Sequence, residues 1–356
     1  MHPSIQAGAE PPAIALAEKE RALHDALRDC GSVVLGYSGG VDSTYLAKAA
    51  LDALGPDRVL AVTGRSPSYP DVQYRTALDV ARRIGLPHEE IETREIDDPN
   101  YASNPSDRCY YCKSELFALL AAIAGERGAT VIDGSNADDL ADYRPGAAAG
   151  LERGVRSPLQ EAGLTKDEIR TLSRRAGLPT WDAPASPCLA SRIPYGIAVT
   201  RDRLRQIEAA EARLRELRSW RALRVRHHGE MARLEVAAAD LTALTEESAR
   251  ASVAAALRDA GFEAAGLDLA GYRQGALNEA LGARGNGSGV DVPEASRSRL
   301  AELGLDVRAD VTGQDGDLAV LWPARSTGAA ELIEGCEAVV AACRSAGCRY
   351  VTLALY

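Results

Sequence analysis

The sequence Ser38-Gly39-Gly40-Val41-Asp42-Ser43 joins a predicted strand to a predicted helix. The apolar run SVVLGY at 32–37 precedes it and is typical of a buried parallel strand, while TYLAKAALDAL, which follows from residue 44, has helical spacing. Glycines at such a junction let the backbone approach phosphate oxygens, and the helix N-terminus attracts anions. We therefore expect a phosphate-binding loop in which Ser38 and Ser43 donate hydroxyls and Asp42 holds Mg²⁺.

Strand and helix patterns alternate around this loop. Further strands are predicted at 58–64, 88–96 and 129–136, and a helix at 72–84. This alternation indicates an α/β domain with a doubly wound parallel sheet, which we place at residues 1–185.

A Pro-rich passage at 178–196 leads into a smaller α+β domain, placed at 186–282. The tail, 283–356, contains two segments similar to parts of that domain, and we interpret it as a degenerate repeat. The alternative is a chance likeness between Ala-rich units. The similar segments are RLAELGLDVR at 299–308 with RLRELRSWRALRVR at 213–226, and AACRSAGCRYVTLAL at 341–355 with AALRDAGFEAAGLDL at 255–269.

Composition restricts the compartment and the partners. The 356 residues include no apolar run near the ~18 residues of a membrane span and no apolar signal core, which predicts a cytoplasmic protein without a membrane partner. The net charge of −10 disfavours a nucleic-acid partner. Seven cysteines in a reducing compartment argue against disulfides, which leaves metal or cluster binding, catalysis and burial.

Four further motifs identify a resemblance. The loop resembles the SGGxDS loop of the N-type ATP pyrophosphatases, which have an adenine nucleotide alpha hydrolase-like fold and transfer AMP from ATP. With the other motifs, residues 15–280 closely resemble the LarE family of sulfur transferases, which act on a pyridinium dicarboxylate mononucleotide in nickel-pincer cofactor synthesis. These motifs are NPSDRCYYCKSELF at 104–117, DGSNADDLADYRPG at 133–146, GLTKDEIR at 163–170 and PASPCLASRIPYG at 184–196.

The resemblance implies an enzyme that uses ATP and Mg²⁺, a small-molecule nucleotide substrate and a sulfide donor. Some members sacrifice a lone cysteine that matches Cys188. In others three cysteines hold a [4Fe–4S] cluster, and Cys109, Cys112 and Cys188 correspond to that pattern. We favour the cluster. For the Cys109–Cys112 pair alone, a zinc knuckle or a redox pair is the alternative, although no second C-x-x-C completes a zinc site.

The resemblance also implies substrate contacts. Arg224 and Arg226 alternate on a predicted strand, so they share one face, and they match the family's binders of the substrate phosphate. Ser191 and Arg192, beside Cys188, are expected to contact a carboxylate or phosphate of the substrate. Glu211 is expected near that phosphate or a metal, with an exposed helix acid as the alternative.

Two expectations remain. Asp138 is a candidate magnesium or ribose contact, with helix capping as the alternative. The tail has Asp306 in place of Arg224, so its phosphate site is lost, and we expect it to pack against the second domain or to form a homo-oligomer contact. Competing functions are tRNA thiolation, an amidating ligase and a regulatory nucleotide-binding module.

Overall fold

The computed structural model describes residues 13–141, 144–273, 292–312, 318–323 and 328–356. The chain divides into two compact units, one up to Cys188 and one from Leu189 onward. The first ends three residues after the expected boundary at 185. The expected boundary at 282 lies outside the described residues.

The first unit contains a four-stranded parallel sheet in the order β3-β2-β1-β4. Helices pack on both of its faces, which confirms the predicted α/β class. The strands are β1 Val33–Gly36, β2 Val59–Arg65, β3 His88–Glu92 and β4 Thr130–Ile132, and the helices are α1 Ala13–Cys30, α2 Val41–Leu54, α3 Asp71–Arg83, α4 Pro99–Ala102, α5 Arg108–Arg127, α6 Pro145–Glu152, α7 Pro158–Glu161 and α8 Lys166–Arg175.

Alternate residues of the central strand enter two separate cores. Val33 and Leu35 of β1 pack in one core with apolar residues of α1, α2 and α8, whereas Val34 packs in the other with Phe117 and Leu120 of α5. A strand covered by helices on both faces needs apolar side chains throughout, which explains the unbroken run at 32–37. Among the described helices, none is both long and apolar enough to cross a membrane.

Two strands are shorter than predicted. The run at 129–136 was expected to be extended, but β4 covers only Thr130–Ile132. The run at 88–96 was expected to be extended throughout, but β3 ends at Glu92 and a 3-10 helix occupies Glu95–Asp97. The neighbouring strand β2 ends at Arg65, whose carbonyl accepts from the amide of Thr93 (3.1 Å). Beyond that bond the segment has no strand partner among the described residues, so the chain turns.

The second unit has one six-stranded sheet in the order β5-β6-β7-β10-β9-β8. Each half contains an antiparallel hairpin followed by a parallel third strand, and β7 and β10 join the halves in antiparallel pairing. This is the arrangement that a duplicated unit would give. The strands are β5 Leu223–His228, β6 Met231–Val236, β7 Ala264–Asp268, β8 Val307–Thr312, β9 Leu318–Pro323 and β10 Tyr350–Ala354, and the helices are α9 Arg201–Leu217, α10 Ala238–Leu241, α11 Glu247–Asp259, α12 Val292–Glu302, α13 Ala329–Glu334 and α14 Cys336–Ser345.

Candidate active site

The phosphate loop lies between β1 and α2 and accepts only glycine at its tightest point. Gly39 has φ +63°, and a Cβ there would lie 2.4 Å from the Cβ of Ala77. The carbonyl of Ser38 accepts hydrogen bonds from the Tyr69 hydroxyl (2.8 Å) and the Gln73 amide (3.0 Å). Side chains of α3 and of the segment before it therefore hold the loop in place.

The two loop serines face each other. Their hydroxyl oxygens lie 3.1 Å apart, and the Ser43 hydroxyl donates to the carbonyl of Gly40 (3.3 Å). Gly134, just after β4, approaches so closely that a Cβ would lie 3.1 Å from the amide nitrogen of Ser43. The carboxyl ends of β1 and β4 thus meet at the loop, where parallel α/β sheets bind ligands.

Asp42 forms an ion pair that sequence reasoning missed. Its Oδ2 lies 2.5 Å from the Nζ of Lys166, the first residue of α8, while its Oδ1 is buried without a hydrogen-bond partner in the described part of the chain. Lys166 lies in the motif GLTKDEIR, whose Thr165 and Glu168 form a capping box. That motif was a sequence signal for the helix start, but it did not show that Lys166 reaches the loop.

Asp138 and Asp139, which follow β4, have different hydrogen-bond partners. Asp138 accepts a hydrogen bond from the backbone amide of Lys166 (2.8 Å), so the structure places this carboxylate at the N-terminus of α8. Asp139 accepts from the amide of Asn136 (3.0 Å), pairs with Arg144 (2.7 Å) and lines the cavity described below. Burial raises the pKa of Asp139, an effect that the Asn136 amide and Arg144 oppose.

A cavity of about 340 Å³ connects the loop to Cys112 and Cys188. It lies within the first unit, and residues from all the motifs quoted above for that unit except GLTKDEIR contribute to its walls. Among its lining residues are Ser38, Gly40, Asp42 and Ser43 of the loop, Thr63 and Gly64 of β2, and Glu95, Cys112, Lys113, Asp139, Arg144 and Cys188.

The three cysteines influence one another electrostatically. Although Cys109 is an exposed residue, the protein around its thiol and then the neighbouring Cys188 raise the pKa of Cys109. Burial, followed by the charges of Glu95 and Cys188, raises the pKa of Cys112 well above that of a free thiol. Because Cys188 contributes to the raised pKa of both Cys109 and Cys112, the three thiols lie close together.

A cluster is compatible with this donor set. Thiolates are the usual ligands of iron–sulfur clusters, and Cys109 and Cys112 lie one turn apart at the start of α5. Within the described ranges, no group of three or more His, Cys, Asp or Glu side chains is already arranged around a metal position.

In the second unit, Glu211 of α9 is a buried ion-pair partner and not an exposed acid. It accepts from Nε (3.0 Å) and Nη2 (3.3 Å) of Arg192, and from Arg215 (2.8 Å). Glu211 and Arg192 are each only 2% exposed at their side chains. Burial alone would raise the pKa of Glu211, but the charges of Arg192 and Arg215 outweigh it and lower the pKa.

The two arginines of β5 have different surroundings. Arg226 binds the Glu235 carboxylate (2.7 Å) and donates to the carbonyl of Ser191 (2.7 Å). The guanidinium of Arg224 lies over the ring of Tyr272, 5.3 Å from its centroid, and burial together with the charge of Arg192 lowers its pKa. The structure therefore brings the five predicted substrate residues into one region of this unit. The sequence did not predict that Glu235 also lies there, as the partner of Arg226.

The chain is similar to several known proteins. Residues 16–110 match the family model of NAD synthase. An uncharacterised protein of Synechocystis sp. is 42% identical over 267 residues, 75% of this chain and 99% of the relative. Pyridinium-3,5-bisthiocarboxylic acid mononucleotide synthase of Lactiplantibacillus plantarum is 38% identical over 267 residues, 75% of this chain and 96% of the relative. An uncharacterised protein of Methanocaldococcus jannaschii is 26% identical over 242 residues, 68% and 90% of the two chains.

A phosphate loop on a parallel sheet and this set of relatives define an ATP-using sulfurtransferase of the PP-loop class. Within that class, the chain belongs to the LarE family, the family of pyridinium-3,5-bisthiocarboxylic acid mononucleotide synthase.

Proposed function

We propose that this enzyme adenylates a carboxylate of a pyridinium dicarboxylate mononucleotide and replaces one of its oxygens by sulfur. The observation that carries the proposal is the shared cavity, which phosphate-loop residues line together with Cys112 and Cys188. A carboxylate placed there would have ATP on one side and thiols on the other. The relative from Lactiplantibacillus plantarum is named pyridinium-3,5-bisthiocarboxylic acid mononucleotide synthase, which supports this choice of substrate.

In the first step the substrate carboxylate attacks the α-phosphorus of ATP and pyrophosphate leaves. The loop amides and the hydroxyls of Ser38 and Ser43 bind phosphate oxygens. Asp42 would hold Mg²⁺, which would neutralise negative charge on the phosphates. Lys166 exchanges its ion pair with Asp42 for a contact to the negative charge that develops on the leaving group.

In the second step sulfur attacks the acyl carbon and AMP leaves, giving a thiocarboxylate. Cys109, Cys112 and Cys188 would hold a [4Fe–4S] cluster, and three thiolates would leave one iron able to carry an external sulfide. The alternative source is the sulfur of Cys188 itself. Both use a soft nucleophile on a carbon that AMP has activated.

The second unit holds the mononucleotide phosphate in our proposal. Arg224 and Arg226 lie on one face of β5. The Glu211 carboxylate orients the guanidinium of Arg192, and the Ser191 carbonyl orients that of Arg226. Arg192 supplies a further positive charge beside Arg224, as the lowered pKa of Arg224 reflects. An excess of positive charge at this place suits a dianionic phosphate.

The test is pyrophosphate release from ATP with and without the pyridinium dicarboxylate mononucleotide, with mass analysis of the product. We expect release to depend on this substrate and the product to contain sulfur in place of oxygen. Asp42→Asn should abolish release, whereas the matched control Asp52→Asn, on the same helix and paired with Lys48, should not.

Three results would contradict the proposal. Stimulation by tRNA would favour tRNA thiolation, formation of an amide from ammonia would favour the amidating ligase, and hydrolysis indifferent to every acceptor would favour a regulatory module.

A further inference from the structure

Glu95 lines the cavity together with Cys112 and Cys188 and has no role in the steps above. It is the first residue of the 3-10 helix Glu95–Asp97 and is only 2% exposed. A carboxylate buried this deeply is costly unless its oxygens find partners. Its position in the cavity wall therefore calls for a functional explanation.

The two oxygens of this carboxylate have unequal surroundings. Oε1 accepts a hydrogen bond from the Ser68 hydroxyl (3.0 Å), which is itself 2.8 Å from the Ser66 hydroxyl. Oε2 is buried and has no hydrogen-bond partner among the described residues. Holding one oxygen in place fixes the direction of the other, which is how a ligand is preorganised.

The neighbours of Glu95 indicate what the second oxygen binds. Glu95, Cys112 and Cys188 line the same cavity, so the free oxygen of the carboxylate lies in the space that these two cysteines border. Thiolates and a carboxylate gathered in one buried place stabilise one another only around a cation.

We propose that Glu95 provides an oxygen ligand to the iron that Cys109, Cys112 and Cys188 leave open, and that it gives way to hydrosulfide. This inference rests on the proposed function, because it requires the cluster. In the exchange one iron–oxygen bond breaks and one iron–sulfur bond forms, with no change of oxidation state. Sulfide is a softer ligand than a carboxylate, so the oxygen retains the iron between turnovers and yields when sulfur arrives.

The experiment uses the full chain, reconstituted anaerobically with iron and sulfide and then freed of excess sulfide. Wild type, Glu95→Gln and the control Glu92→Gln are exposed to ferricyanide, and loss of the fourth iron is followed by iron counting and EPR of the three-iron product. Glu92 is exposed at the end of β3, and its Oε2 lies 3.9 Å from Nη2 of Arg94. We expect Glu95→Gln to lose the fourth iron about tenfold faster, and the control to behave as wild type.

The outcomes separate the two hypotheses. Four irons in wild type and an unchanged rate in Glu95→Gln would overturn the role of Glu95 and leave the proposed function standing. No iron in wild type would overturn the cluster and with it the role of Glu95, and would leave Cys188 as the source of the sulfur. If Glu95→Gln does not fold, Glu95→Asp decides, because a carboxylate shorter by one carbon should also lose the iron faster, and a wild-type rate would overturn the inference.

Discussion

At the scale of single residues, Asp42 and Lys166 are 124 positions apart in the sequence and yet form an ion pair at the phosphate loop. The sequence predicted the aspartate because its motif is local, between a strand and a helix. It could not predict the lysine's contact, because that depends on how α8 packs against α2. The same limit applies to Glu95 and Ser68, whose hydrogen bond joins two segments beyond the ends of neighbouring strands.

Replacing Lys166 by Met should slow the first step. The substitution keeps most of the side-chain volume but removes the charge near the leaving pyrophosphate, so we expect substrate-dependent pyrophosphate release to fall about a hundredfold. Lys48→Met is the control, since Lys48 lies in α2 and pairs with Asp52 and not with Asp42. Equal rates for Lys166→Met and wild type at saturating ATP would exclude a role for this lysine.

Replacing Glu211 by Gln should destabilise the second unit in a pH-dependent way. Loss of the charge leaves Arg192 buried without its carboxylate, at a cost of about 3–5 kcal/mol in the free energy of unfolding near pH 7. Because the folded-state pKa of Glu211 is lowered from its ordinary value of 4.5, its contribution is present above about pH 4.5 and is lost as pH falls through the folded pKa.

Denaturant unfolding at several pH values measures this effect. The difference between wild type and Glu211→Gln should shrink below pH 4.5, whereas Glu216→Gln, an exposed residue of the same helix, should match wild type throughout. A difference that is constant with pH would show that Glu211 acts through packing and not through its charge.

At the scale of elements, apolar patterning predicted the strands of the first unit and the helices α2 and α3, because burial on one or two faces leaves a periodic signal. It extended two strands too far, beyond the ends of β3 and β4. It also did not reveal that β7 pairs with β10, with Leu267 opposite Leu353. Pairing between strands that are distant in the chain depends on complementary edges, which local periodicity does not encode.

Deletion of residues 283–356 tests the tail. The matched regions of the relatives in Synechocystis sp. and Lactiplantibacillus plantarum cover 267 residues and nearly all of each relative, so we expect the shortened chain to retain sulfur transfer. Removing β10 exposes the edge of β7, which should promote self-association that rises with concentration. Analytical ultracentrifugation and the activity assay check both points, and a folded, monodisperse but inactive product would contradict them.

At the scale of the whole molecule, the net charge of the protein and the volume of the cavity both favour a small molecule as the acceptor of sulfur. A net charge of −10 opposes binding to an RNA backbone, while the local excess of arginines in the second unit suits one phosphate group. Cys112, Cys188 and the phosphate loop share a cavity whose volume of about 340 Å³ is at the scale of small-molecule sites. The two steps that we propose, activation of the carboxylate and delivery of sulfur, would therefore take place in one cavity.

The most direct test of this account has two measurements. One counts the iron in the anaerobically reconstituted chain, and the other measures by mass spectrometry the mass of the peptide that contains Cys188 after one turnover with ATP and substrate. We predict four irons per chain, lost when Cys109, Cys112 or Cys188 is replaced by Ala but retained in Cys30→Ala, and an intact Cys188 after turnover. No bound iron, together with loss of one sulfur from Cys188, would contradict the cluster and show that the protein consumes its own cysteine.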